Sequence, residues 1–268
     1  MTETKVTGVL QSDWSAAIQD YPIASGWTHD GAVLVVCDSA GGLYVFDSQQ
    51  GELLWSEPCA HEGGALAMSM HPVEAVFATA GQDGKILIWD LTGAHSRCCI
   101  EVGSGWVENV LWSPDGARLA SSHGREIQIF GVDGAEQWRS DEHLSTVSAL
   151  GWLNSNELVS TCYGRVTIFD SDTGEPNQRF EWKGSLVSLA LSPDGDVIAC
   201  GSQDNSVHFW RRSTGEDSMM AGYPGKPAAL AFDSTGTLLA TGGGETVTVW
   251  SFEGDGPEGT YPGSLELH

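Results

Sequence analysis

Apolar residues along this chain fall in short runs parted by Gly, Asp, Ser and Pro, and no window holds the interval of an amphipathic helix. Runs that close on an aromatic residue keep returning. They are LYVF at Phe46, ILIW at Trp89, IQIF at Phe130, VTIF at Phe169, VHFW at Trp210 and VTVW at Trp250, spaced 39 to 43 residues apart. Before each lies a second apolar stretch (AVLVVC, AVFATA, ARLASS, ELVSTC, DVIACG, TLLATG), and before that a third. Turns such as SPDG, at 113–116 and again at 192–195, have Pro second and Gly fourth, the arrangement a type I turn favours. A more variable fourth stretch follows each aromatic, for example GELLWS at 51–56. Each unit of about 40 residues therefore predicts four short strands. The strands are nearly continuous in apolar residues, as expected when neighbouring sheets cover both faces.

The best-formed unit contains AHE at 60–62, then ATAGQD, then ILIWD, and its stretch GQDGKILIWD at 81–90 has the composition of an active-site loop. These motifs resemble the WD-repeat β-propeller family, and the likeness runs from about Pro22 to Trp250. The resemblance implies an all-β fold, a β-propeller of four-stranded antiparallel blades. It also implies that a loop His, a strand Thr, a turn Asp and the Trp form one hydrogen-bonded set, here His61, Thr79, Asp83 and Trp89. Asp83 is then a structural group and not a catalytic acid. Other units keep less of the set. The fifth has Asp204 and Trp210 but Cys200 and no loop His, while the third and fourth end in Phe130 and Phe169 and lack the turn Asp.

A single propeller domain over 1–268 is expected, with repeats near 19–60, 61–103, 104–143, 144–183, 184–224 and 225–268. Residues 5–11 (KVTGVLQ) are a possible closing strand, since propellers of this family close by letting an N-terminal strand supply the outer strand of the last blade. Six repeats of four strands with this segment make 25, against 24 for a closed six-bladed ring and 28 for a seven-bladed one. His268 stands where His61 and His143 open earlier repeats, so one expectation is that three inner strands of a seventh blade are lacking. A second copy or another polypeptide would then complete the ring. The alternative is a six-bladed ring with a spare strand.

Charge and composition narrow the partners. The 36 acidic and 12 basic residues give a net charge of −24, which repels phosphate backbones and anionic lipid heads, so neither nucleic acid nor membrane is an expected partner. No apolar run approaches the ~20 residues of a membrane helix, and MTETKVTGVL lacks the pattern of a signal peptide. The six cysteines form no CxxC pair and there is no Asn-x-Ser/Thr acceptor, which fits a reduced, cytoplasmic protein.

Motifs for nucleophile elbows, zinc helices and phosphate loops are absent, and the eight histidines lack metal-ligand spacing. No cofactor, metal or catalytic residue is expected. The fourth strands FDSQQGELLWS and FGVDGAEQWRS resemble a quinoprotein-type pattern, which makes a quinoprotein-like enzyme the least favoured alternative. An intermediate alternative is a small molecule or ion held in the axial channel. The favoured reading is a protein-interaction scaffold that binds on the loop face. Candidate contact residues there are Gln82, Trp106, His123, Arg125, Tyr163, Arg165, Trp182 and Gln203, in loops before second-to-third turns or leading into first strands. Trp, Tyr and Arg are the types that anchor interfaces.

Overall fold

A computed structural model describes residues 13–254 and 256–266. The segment 5–11 and His268 lie outside the described residues. Every described element is a β-strand, and the strands form five antiparallel sheets, four of four strands and one of six.

The first sheet holds β1 (Pro22–Trp27), β2 (Val33–Asp38), β3 (Leu43–Asp47) and β4 (Leu53–Glu57). The second holds β5 (Ala65–Met70), β6 (Val76–Gly81), β7 (Lys85–Asp90) and β8 (Ser96–Glu101). The third holds β9 (Val107–Trp112), β10 (Arg118–His123), β11 (Glu126–Gly131) and β12 (Glu136–Arg139). Then come β13 (Ala149–Asn154), β14 (Glu157–Asp170), β15 (Pro176–Leu191), β16 (Val197–Ser202), β17 (Val207–Arg211) and β18 (Asp217–Met220) in one sheet. The last sheet is β19 (Ala229–Phe232), β20 (Leu238–Gly242), β21 (Thr246–Ser251) and β22 (Gly263–Glu266).

The six-stranded sheet carries the repeats 144–183 and 184–224. Its long β14 doubles back on itself: Ser171 N–H donates to Asn156 O at 2.9 Å, so the two ends of the strand are neighbours. The reversal falls at Gly164, whose φ of 78° lies in the left-handed region that favours glycine. One half of β14 pairs with β13 and the other with β15. The chain then runs without a break from the outer strand of the fourth repeat into the first strand of the fifth, which pairs with β16.

Burial explains the continuous apolar runs. Second and third strands are covered on both faces, as in VFATAG of β6, where every residue is buried. Most apolar clusters are shared between neighbours: Ala78, Ile86 and Ile88 of the second sheet pack with Val107, Trp112 and Phe130 of the third, whereas Val36, Tyr44 and Phe46 of the first sheet pack with Trp14 and Ile18. A fully buried Ile or Phe contributes roughly 1.5–3 kcal/mol, so these seams provide most of the stabilisation. The first strands pack in succession, β1 on β5, β5 on β9, β9 on β13, β13 on β15 and β15 on β19.

Candidate functional site

The GQDGKILIWD stretch folds as a turn into β7. His61 Nδ1 lies 2.9 Å from Asp83 Oδ1, and its Nε2 lies 2.8 Å from Thr79 Oγ1. Trp89 Nε1 donates to the same hydroxyl at 2.9 Å. A carboxylate can only accept, so Nδ1 carries the proton and Nε2 accepts from Thr79. His61 is fully buried, and burial depresses its pKa while Asp83 partly offsets it. Asp83 also accepts from the backbone N–H of Lys85, at 3.3 Å. Every polar atom of the set is used internally, which leaves no group free to react.

Other repeats build the same staple from different residues. In the fourth, His143 Nε2 meets Ser160 Oγ at 2.9 Å, and the Arg125 carbonyl takes the place of the Asp, accepting from Nδ1 at 2.9 Å. In the sixth, Tyr223 stands in for the histidine. Trp250 Nε1 donates to its hydroxyl at 2.7 Å, and that hydroxyl lies 2.8 Å from Thr241 Oγ1. The sequence reading missed Tyr223. The signal was present, since Tyr223 precedes Thr241 by the same 18 residues that separate His61 from Thr79. The fifth repeat differs again, with buried His208 stacked on Trp182 at 3.8 Å and edge-on to Trp210 at 4.4 Å.

The loops that join second to third strands pack against those leading into first strands. Backbone hydrogen bonds join them: Gln82 N to Gly64 O, Val102 N to Gly84 O, Val147 N to Gly124 O and Gln203 N to Ser185 O, all within 3.0 Å. This interlock makes one face from the loops carrying the eight candidate contact residues. Their side chains differ in availability. Trp106 and Tyr163 are each 54% exposed. Gln203 and Arg125 are exposed, and Gln82, His123 and Arg165 are half-buried.

Three of the eight have internal work. Arg125 Nε donates to the His143 carbonyl at 2.7 Å, and its guanidinium pairs with Glu142 at 3.1 Å. Arg165 pairs with Glu181 at 3.3 Å. Exposed pairs of this kind contribute ~0–1 kcal/mol. Trp182 is half-buried in the core of its repeat, and its Nε1 is buried without a hydrogen-bond partner. It is placed as packing for His208.

Among the described residues, no group of three or more His, Cys, Asp or Glu side chains could hold a metal ion. A cavity of about 360 Å³ opens between the third and fourth repeats, lined by Arg139, Arg165 and Arg179 with Asp141, Glu142 and Glu175. These charges balance, and the lining also takes in His143, whose ring nitrogens are engaged by Ser160 and the Arg125 carbonyl, and Cys162, whose thiol donates to the Tyr163 carbonyl at 3.5 Å.

The WD domain, G-beta repeat family model matches at residues 53–90, 174–211 and 222–251. Among curated relatives, the serine-threonine kinase receptor-associated protein of Mus musculus is 22% identical over 210 residues, covering 77% of this chain and 59% of the relative. The cell division cycle 20.6 protein of Arabidopsis thaliana, a cofactor of the APC complex, is 26% identical over 260 residues, 89% of this chain and 60% of the relative. The chain thus spans little more than half the length of the curated relatives it matches. Among solved structures, a chain of the mitotic checkpoint complex aligns with a TM-score of 0.73 at 22% identity, over 83% of this chain and 72% of that one.

Proposed function

The chain belongs to the WD-repeat β-propeller family, and on that premise we propose that it is a non-enzymatic scaffold that binds a partner protein on its loop face. The observation that carries this reading is the pair of large aromatics, Trp106 and Tyr163, each 54% exposed on loops otherwise locked by backbone hydrogen bonds. A rigid rim with protruding Trp and Tyr loses little entropy on binding and presents the residue types that dominate binding energy. The similar proteins named above include a receptor-associated protein and a cofactor of a complex, which supports a protein partner here. On this reading the six repeats make a single propeller domain. A partner surface with a basic patch fits the charge of −24, and a cytoplasmic setting fits the six unpaired thiols.

The test begins by capturing partners from the source organism with the intact chain and measuring the affinity of the purified pair. Trp106→Ala and Tyr163→Ala together should weaken that complex at least tenfold while the melting temperature stays within 2 °C or so of the parent. Undiminished binding by a correctly folded double variant would sink the loop-face reading.

A further inference from the structure

Seams between repeats are filled by a recurring pair of side chains, and one seam lacks it. In the second repeat Ile100 pairs with Ile86, three residues before the closing Trp89, and Val102 follows two residues later. Both are 8% exposed and pack against the third repeat. In the fourth repeat Phe180 pairs with Val166, three residues before Phe169, and Trp182 follows two later. These two pack against the fifth repeat, Phe180 with its ring 5.8 Å from Trp210 and Trp182 stacked on His208. In the third repeat the place opposite Ile127 is held by Ser140, whose N–H donates to the Ile127 carbonyl at 2.9 Å. The pair there is therefore Ser140 and Glu142. Across the seam stands Thr167, the counterpart of His208, each two residues before its repeat's aromatic.

Two large apolar side chains are thus exchanged for two polar ones, and the cavity of about 360 Å³ lies where they would be, lined by Ser140, Glu142, Thr167 and Phe169. Its volume falls in the range of ligand pockets. Leu144, 58% exposed, joins it to the loop face. The seam between the first and second repeats follows the same rule, with Glu57 and Cys59 at the two places and a cleft of about 420 Å³. There the single carboxylate, Glu57, already accepts from the Cys59 N–H at 3.2 Å. Between the third and fourth repeats the mouth is different. Arg139 is held by Glu126 and Glu136, Arg165 by Glu181, and Glu142 by Arg125. Among the described residues, Asp141, Glu175 and Arg179 form no ion pair or side-chain hydrogen bond, and all three are exposed. Unpaired carboxylates outnumber unpaired guanidinium groups at this mouth.

We propose that this seam is a docking groove for an extended segment of a partner protein, which inserts two large side chains at positions i and i+2, at least one of them aromatic, with a Lys or Arg beside them. Period-two spacing puts both side chains on one face of an extended segment, as Phe180 and Trp182 are in the seam already filled. The inserted ring takes the place that Trp182 has in the next seam, over Thr167 and beside Phe169, where the Arg179 guanidinium can stack on it. The flanking base meets Asp141 or Glu175, in keeping with the net charge of −24. A second copy of this chain is a poor occupant. Its own Phe180 and Trp182 are packed inside, and its exposed Tyr21 and Ile23 are flanked by Asp20. Residues 1–12 hold no aromatic. The proposal shares with the scaffold reading only that the partner is a protein, and it makes no use of Trp106 or Tyr163.

The test uses the intact chain and, as probe, the capped peptide QRFEWKG, the sequence of residues 178–184, which carries Phe and Trp at the required spacing between an Arg and a Lys. The fluorescein-labelled peptide should bind saturably by anisotropy, and its double-alanine version QRAEAKG at least tenfold more weakly. Glu142→Trp with Thr167→His closes the groove by copying the stacked pair of the next seam, and should weaken binding at least tenfold. Trp106→Ala with Tyr163→Ala should leave it unchanged. If the closed variant fails to fold, Asp141→Lys with Glu175→Lys, both on the surface, should weaken binding at least fivefold. A peptide that does not bind, that binds equally without its aromatics, or that binds the folded closed or charge-reversed variant undiminished would overturn the proposal. In source cells, a photo-crosslinking amino acid at Thr173, on the rim of the groove, should mark a partner segment with this spacing, and replacing its aromatic by Ala should abolish the crosslink. An adduct to another copy of the chain, to a segment of the same polypeptide, or to a segment without the aromatic would also overturn it.

Discussion

Trp250 donates its indole N–H to the Tyr223 hydroxyl at 2.7 Å, whereas in the second repeat Trp89 donates to the Thr79 hydroxyl and His61 meets that hydroxyl from the other side. The Tyr223 hydroxyl in turn lies 2.8 Å from Thr241 Oγ1, whose own proton goes to the Thr248 carbonyl at 3.2 Å. Removing the hydroxyl breaks this relay and leaves the Trp250 N–H in the interior unpaired. Tyr223→Phe should cost about 1–2 kcal/mol, read as a lower urea midpoint with an unchanged m-value. An unchanged midpoint would show that the relay contributes nothing net.

Interlocking of the loops is tested by two glycines of equal conformation. Gly84 and Gly215 both have φ of 74°. A Cβ on Gly84 would overlap the Gly103 carbonyl oxygen, whereas one on Gly215 meets nothing. Gly215→Ala should cost about 1 kcal/mol, from left-handed strain alone. Gly84→Ala should cost at least twice as much, because the neighbouring loop must also move. Equal losses would mean that the loops do not restrain each other.

How far the sequence revealed the molecule depends on what each repeat retained. The aromatic at the end of each third strand set the period, because burial between sheets demands a large apolar residue there. His61, Thr79, Asp83 and Trp89 are brought together as their residue types suggest. Tyr223 escaped notice because its hydroxyl replaces an imidazole that differs from it in shape and composition. The merging of repeats four and five in one sheet escaped too, since Gly184 and Ser185 in EWKGS read as a break between repeats, yet β15 continues through them. Trp182 reads as an exposed loop aromatic, yet its neighbour His208 lies 26 residues away and covers its face only in the folded chain. The hydrogen bond from Trp14 Nε1 to the Ser48 carbonyl was legible only from geometry, because donor and carbonyl are 34 residues apart.

Thiol chemistry should sort the cysteines by depth. Cys59 and Cys99 are exposed, Cys98 is intermediate, and Cys37, Cys162 and Cys200 are buried. Burial pushes the Cys37 thiol up to about 11 and raises Cys200 further still. The thiolate is the reactive form, so a colorimetric thiol reagent at neutral pH should label Cys59 first and Cys99 more slowly, burial raising its pKa as well. The three buried thiols should appear only when urea is added. Rapid labelling of Cys200 in the native state would mean that the fifth repeat opens locally.

Stability should fall on mild acidification because of three histidines. Burial holds His61, His143 and His208 below the ordinary imidazole value of 6.5. The unfolded chain takes up these protons near pH 6.5 while the native chain resists, so the unfolded state binds more protons. The contribution is therefore complete above pH 6.5 and is lost as the pH drops toward the depressed native values, by up to ~1.4 kcal/mol per pH unit for each histidine. Facing groups set their order. Asp83 opposes the depression at His61, and Asp217 and Asp204 oppose it at His208. Arg125 and Arg165 face His143 and deepen it, and the Arg125 carbonyl that accepts from its Nδ1 pulls the other way. Carboxylates such as Asp115, Asp194 and Glu136 are held below their ordinary range by hydrogen bonds, so they matter only in more acidic solution. His143→Gln should flatten the urea midpoint between about pH 7 and pH 5.5 relative to the parent, whatever it costs at neutral pH. A variant that keeps the parental slope would assign the acid sensitivity to other groups.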